Sequence, residues 1–171
     1  MIEQTAWFER KFASIADNGL FPDILERLEG TTLRLSHKVK DLEEAILNFK
    51  PANKWSIKEE IGHLLDLEPL WYGRIHDIKM DMEELRHADL SNTKTHEAEH
   101  NKNSVGNLIG SFKQEREKLT QLLYAITDAD LLKSALHPRL KTPMRVIDLC
   151  YFVAEHDDHH LARISNIIRN S

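Results

Sequence analysis

The chain is short of the residues that build disulfide-stapled or turn-rich folds. It has one cysteine, Cys150, which excludes an intramolecular disulfide framework and suits a reducing compartment. Six glycines and five prolines in 171 residues leave few points of punctuation, and long periodic runs between sparse turn residues favour an all-α protein. No stretch approaches the ~18 consecutive apolar residues of a membrane span. Charges at Glu3, Glu9, Arg10, Lys11 and Asp17 break up any signal-peptide core, so a cytoplasmic protein with no membrane partner is expected. Basic residues are not in excess either. The 23 Lys and Arg face 28 Asp and Glu, a net charge of -5, which argues against nucleic acid as a partner. The nucleophile elbow GxSxG, the P-loop and the dinucleotide motif GxGxxG are all missing.

What is present is enough for an ordinary core: 41% of residues are apolar and 30% charged, and residues 1–171 read as one domain. The spacing predicts a short amphipathic helix from Ile2 to Ala16, carrying Trp7, Phe8, Phe12 and Ile15 and stopping at Asn18-Gly19. Pro22 suits the first turn of a second helix reaching Ile46, with a weak point at Glu29-Gly30. Ser56 and Glu59 form a capping box with Trp55 outside it, opening a helix to about Arg86 that is apolar on two stripes and interrupted by Pro69. Residues Ala88 to Asn103 read as a polar loop with little to bury. Ser104 caps a helix to Ile126, a short segment follows, and Thr142-Pro143 opens a last helix spanning Lys141 to Arg169. Four long helices with extra short ones fit a four-helix bundle with one chain-wide core.

The last helix carries the chemistry. Three of the ten histidines lie within His156 to His160. Val146, Leu149, Val153, His156, His160, Ile164 and Ile167 recur at steps of three and four, so His156 and His160 sit on the buried stripe one turn apart. Two imidazoles on a core face need partners, and a metal ion supplies them. His159 falls off this stripe and is taken as a neighbour. A third candidate, His63, lies on the second apolar stripe of a long core helix. One histidine from that helix and two from the last give a three-nitrogen set with open positions, the pattern of a catalytic zinc or nickel site. Nearby Glu59, Glu60, Asp66, Asp157 and Asp158 are candidates to orient a ligand ring or to face solvent. Arg74 and Arg116 occupy otherwise apolar helical steps, to pair with a buried acid or to face a pocket and bind an anion. His96-Glu97-Ala98-Glu99-His100 matches the zinc-protease pattern letter for letter. Its flanks give no apolar stripe to hold the required helix, so it is read as coincidence. Cys150 is read as a small buried hydrophobe.

The stretch Trp55-Ser56-Ile57-Lys58-Glu59-Glu60-Ile61-Gly62-His63-Leu64, together with Glu155-His156-Asp157-Asp158-His159-His160-Leu161, resembles the signature of the DinB/YfiT-like metal-dependent enzymes. Asp89-Leu90-Ser91-Asn92 and the stretch from Phe112 to Arg116 add to the likeness. The resemblance implies a four-helix bundle, often a homodimer, with a divalent metal held by three histidines: by position His63, His156 and His160. It implies a small-molecule substrate, with a low-molecular-weight thiol or water as the second reactant, and it does not imply DNA binding.

Overall fold

The computed structural model describes residues 3–171, so Ile2, the first residue of the expected N-terminal helix, lies outside it. Helix α1 spans Phe21–Val39, α2 Glu44–Asn48, α3 Ile57–Lys79, α4 Thr93–Glu97, α5 Val105–Tyr124, α6 Asp128–Leu132 and α7 Val146–Asn170. The long helices α1, α3, α5 and α7 form the bundle. Each of α1 and α3 packs against both α5 and α7, so α1 and α3 stand on one diagonal and α5 and α7 on the other.

Local signals explain most of these boundaries. Pro22 lies in the first turn of α1, where its missing N–H is no loss. Ser56 and Glu59 close the capping box that opens α3, with Ser56 Oγ accepting from the Glu59 N–H at 3.2 Å. α3 runs through Pro69, which lies on its exposed side. α1 runs straight through Gly30 and stops at Val39, so the break falls ten residues later than the composition suggested.

Three expectations fail. The segment before α1 is not a helix: it holds only two single turns, at Trp7–Glu9 and Asn18–Leu20. Arg10 donates to the Glu155 carbonyl oxygen at 3.2 Å, and the Ile15 N–H donates to Asp148 at 2.6 Å. These bonds to α7 take the place of the local bonds a helix would make, and an isolated helix of this length is marginal in water. α3 ends at Lys79, not near Arg86. Leu85 is buried, and its N–H donates to the Leu136 carbonyl oxygen at 3.0 Å. Finally, Thr142-Pro143 does not open the last helix. Pro143–Arg145 is a strand, β2, paired antiparallel with β1 at Ser134–Leu136, and α7 begins at Val146 with Arg145 and Asp148 as its capping pair.

The core is also not continuous. One apolar cluster gathers Leu28, Trp71, Ile75, Leu119, Leu149 and Val153 at the β-hairpin end, and another gathers Leu35, Ile57, Ile61, Phe112, Leu161 and Ile164 at the opposite end. Between them lies a buried polar level. Arg116 of α5 bonds Glu68 of α3 at 2.6 and 3.0 Å, Asp157 of α7 at 2.6 and 3.2 Å, and the Leu28 carbonyl oxygen of α1 at 2.9 Å. A guanidinium has five N–H bonds, and all five are used. Thr31 of α1 donates to Asp157 at 2.8 Å. All four long helices thus meet at one side chain, which ties α3 to α7 through Glu68 and Asp157.

Candidate metal centre

Helices α3 and α7 bring His63, His156 and His160 together. Each is 4% exposed, and one ring nitrogen from each lies within 4.8 Å of the other two. His156 and His160 face each other through their Nε2 atoms at 3.2 Å, as the one-turn spacing on the buried stripe requires. Ninety-three residues separate His63 from His156 in sequence; in space their ring centres are 5.3 Å apart.

The bonds behind the rings decide which nitrogen is free. His160 Nδ1 lies 2.6 Å from Glu60 Oε2. With the proton on Nδ1 donated to that carboxylate, Nε2 keeps its lone pair. Burial pushes the Glu60 carboxyl up to about 8, but the charge of Arg163, with Nε 2.8 Å from one oxygen, and the His160 Nδ1 donor, 2.6 Å from the other, both favour the carboxylate. His63 is fixed through a hydroxyl. Thr95 Oγ1 has one proton and donates it to Asp66 at 3.0 Å, so it must accept from His63 Nδ1, 3.2 Å away. His63 Nε2 is therefore bare as well. His100 Nε2 meets the same Asp66 oxygen at 2.8 Å. Burial works to raise the Asp66 carboxyl, but the bonds from His100 and Thr95 and the charge of Lys94 bring it below its usual value. His156 Nδ1 is buried with no partner among the described residues.

Burial also strips the cluster of protons. His63 is lowered to about 4 by desolvation, against the pull of Asp66. His156 and His160 are held well below the ordinary imidazole value, again by burial first, then His156 by the charge of His63 and His160 by those of His156 and His63. Three neutral imidazoles, one nitrogen of each converging within 4.8 Å, are the donor set of a divalent transition metal, and with its own proton on Nδ1 His156 turns Nε2 to the same point as His160 Nε2, 3.2 Å away. The residues present therefore fit such an ion.

The expected neighbours divide. Glu60 and Asp66 orient ligand rings, Asp66 through Thr95. Glu59 serves the capping box, and Asp157 turns away into the Arg116 hub. Asp158 pairs on the surface with Arg27 and Arg34, each at 2.5 Å. His159 is buried beside Trp7 and His160 and lowered to about 4 by desolvation. Cys150 is sealed in the core, its thiol pushed up to about 12 by burial.

The loop before α5 corrects the expectation that it has nothing to bury. His96 and Glu97 are exposed, α4 ends at Glu97, and Glu99 has φ 49°, so the HEAEH residues share no helix. Yet Thr95 and His100 are buried against α3, and Ser56 donates to Asn101 at 2.6 Å. Gly62 makes this possible, since a Cβ there would lie 2.2 Å from the His100 ring. A glycine immediately before His63 was the one sequence signal that something packs closely at that point.

The site opens on a cavity of about 250 Å³ lined by the three histidines and by Trp7, Trp55 and Trp71. Among the described residues no carboxylate or cysteine joins the three nitrogens as a fourth ligand. A four-helix bundle with three converging imidazoles at the inner end of an open cavity is the arrangement from which helical bundles build metal sites. Residues 27–164 match the DinB superfamily, and the chain belongs to that family. Its fold is similar to that of YfiT from Bacillus subtilis, described as a probable metal-dependent hydrolase with an unusual four-helix bundle topology. The two superpose with a TM-score of 0.81 at 19% sequence identity, over 95% of this chain and 93% of that one. No curated protein matches the chain.

Proposed function

We propose that the protein is a divalent-metal-dependent enzyme acting on a small organic molecule, with zinc or nickel held by His63, His156 and His160. One observation carries this reading: three ring nitrogens, two of them kept bare by Glu60 and Thr95, converge where an open cavity ends. A closed structural site uses four protein ligands, whereas three with an open side leave room for a reactant. A divalent ion in this position supplies Lewis-acid chemistry, polarising a substrate carbonyl or lowering the pKa of a water or thiol. The protein's own part is to hold the rings in one tautomer through Glu60 and Thr95, to shield the site from bulk water with Trp7, Trp55 and Trp71, and to admit a molecule of limited size.

Water as the nucleophile makes the protein a hydrolase, and a low-molecular-weight thiol makes it an S-transferase. The description of YfiT supports the first, and the family resemblance admits both. Protein purified without a histidine tag and loaded with zinc or nickel should show activity in either an ester and amide hydrolysis panel or a thiol-conjugation panel. That activity should fall at least ~100-fold in His63→Ala and persist in His96→Ala. Full metal occupancy with no turnover in both panels would instead favour a non-catalytic metal-binding bundle. The proposal places the protein in the cytoplasm, in keeping with its single buried cysteine, and as a homodimer; a monomer by sedimentation at micromolar concentration would overturn the dimer.

A further inference from the structure

The far end of the same cavity has a different chemistry. There the lining comes from Arg74 of α3 and from His137 and Arg139 in the β1–β2 loop. Arg74 is 2% exposed, and Asp77, the acid whose charge reaches it, is taken by Arg86 at 2.6 Å. Its Nε donates to the Arg86 carbonyl oxygen at 3.1 Å, and its guanidinium lies 5.5 Å from the Trp71 ring centre. This leaves Nη1 directed at His137 Nε2, 3.2 Å away.

That last contact is not a hydrogen bond. The Arg139 and Leu140 N–H groups both donate to His137 Nδ1, each at 3.2 Å, so Nδ1 is unprotonated and the ring's proton is on Nε2. A guanidinium nitrogen has no lone pair to accept it. Two buried donors therefore meet with no acceptor between them, a costly arrangement unless a ligand supplies one. Arg139 repeats the pattern. Its Nη2 is buried without a partner among the described residues, and its guanidinium lies over Phe8. Burial lowers Arg74 to about 10, helped by Arg139 and Arg86 against Asp77, so it is still a cation at neutral pH. The one acid among the described lining residues, Asp89, is exposed and bonded to the Ser91 and Thr93 N–H groups at 2.9 and 2.7 Å.

We propose that Arg74, His137 and Arg139 form an oxyanion subsite that takes the carboxylate or phosphate end of an elongated organic acid. Its apolar body lies along Leu67, Leu70 and Trp71 and its reacting end reaches the three histidines, a clause that rests on the enzymatic reading above. Arg74 is eleven residues beyond His63 on α3, about 16 Å of helix rise, so a compact molecule engages only one end. Both guanidiniums are braced on aromatic faces, which orients their forks before a ligand arrives.

The test reads binding, not turnover. Quenching of the cavity tryptophans is titrated in EDTA-treated protein with 4-phenylbutyrate, 4-phenylbutyl phosphate and the neutral 4-phenylbutanol. At least one anion should bind about tenfold or more tightly than the alcohol. Arg74→Gln and Arg139→Gln should each reduce that preference to about threefold or less while leaving the affinity for the alcohol unchanged. Equal affinities for acid and alcohol, or no measurable anion binding, overturn the subsite. So does a preference seen only in zinc-loaded protein and untouched by Arg74→Gln, which would seat the anion at the histidines. Arg139, half-buried in a loop, decides the matter if the Arg74 variant misfolds. Because the readout needs neither metal nor catalysis, failure of the subsite and failure of the enzymatic reading are told apart.

Discussion

Zinc added to metal-free protein should raise the melting temperature by about 10 °C, and His156→Ala should abolish the rise. Anything that binds the folded state alone stabilises it by RT ln(1 + [L]/Kd), about 4 kcal/mol at a thousandfold excess over Kd. In a chain of 171 residues, each kcal/mol moves the melting temperature by about 2–4 °C. His156 and His160 supply two facing nitrogens at 3.2 Å, so losing one takes away one of three candidate ligands. His96→Ala, on the exposed HEAEH stretch, should leave the shift intact. The pH dependence follows from the depressed imidazoles. Without metal, the folded histidines, His63 at about 4 and His156 and His160 held well below the ordinary value, stay neutral while their unfolded counterparts take up protons below about 6.5. The unfolded state then binds more protons, so stability is fully present above about 6.5 and is lost as pH falls toward 4. Folded protein offers neutral ligands throughout that window, so the zinc shift should persist at pH 6. A differential scan with and without zinc at pH 7.5 and 6.0 checks both statements. A shift already gone at pH 6, or one unaffected by His156→Ala, contradicts the assignment.

Much of this centre was legible because helical periodicity is a strong signal and the ligands sit on helices. His156 and His160 replace aliphatics at steps of three and four in α7, and His63 does the same on a helix apolar over two stripes. Their neighbours were less legible. Glu60 and Asp66 could be named only as candidates, since a carboxylate one turn from a histidine faces solvent as readily as a ring. Thr95 and His100 were missed because they come from a loop without periodicity, where burial is decided by a single close approach over Gly62. Arg74 could be read either as a buried ion-pair partner or as a pocket residue. What decided it was the β1–β2 loop and Arg86, the one placing His137 beside it and the other taking Asp77 away.

The failures share one physical cause. Trp7, Phe8, Phe12 and Ile15 recur at a helical spacing, but the same residues suit an extended strap whose rings pack on the site. Trp7 lies 4.8 Å from the His156 ring and 5.0 Å from the Phe152 ring. Bonds from Arg10 and Ile15 to α7 then outweigh a weak local preference. The hairpin is too short, at three residues per strand, for an alternating pattern to register against noise. Its tertiary partner, the segment at Glu84 and Leu85, looked like the tail of α3 for the same reason.

Arg116→Met should destabilise the protein by about 3–5 kcal/mol, because it strands Glu68 and Asp157 in the core without their cation. Burial works to lower the Arg116 guanidinium, but Asp157 and Glu68 overturn that and raise it, a sign of how strongly the three are bound to each other. Burial raises the Glu68 carboxyl even with Arg116 beside it, so without the arginine that carboxyl has to take up a proton. The informative experiment restores packing without restoring charge. Glu68→Met and Asp157→Leu added to Arg116→Met remove every stranded ion, and such replacements commonly recover stability in full. Stability is then separated from register. Asp157 follows His156 directly on α7, and Glu68 lies five residues beyond His63 on α3, so the hub joins the helices that carry the three histidines and is placed to set the angle between them. If the hub is there to fix that angle, the triple variant regains its melting temperature yet binds zinc at least ~10-fold more weakly than wild type. If zinc affinity returns together with stability, apolar packing alone orients the helices, and the buried ion network has no role in building the site.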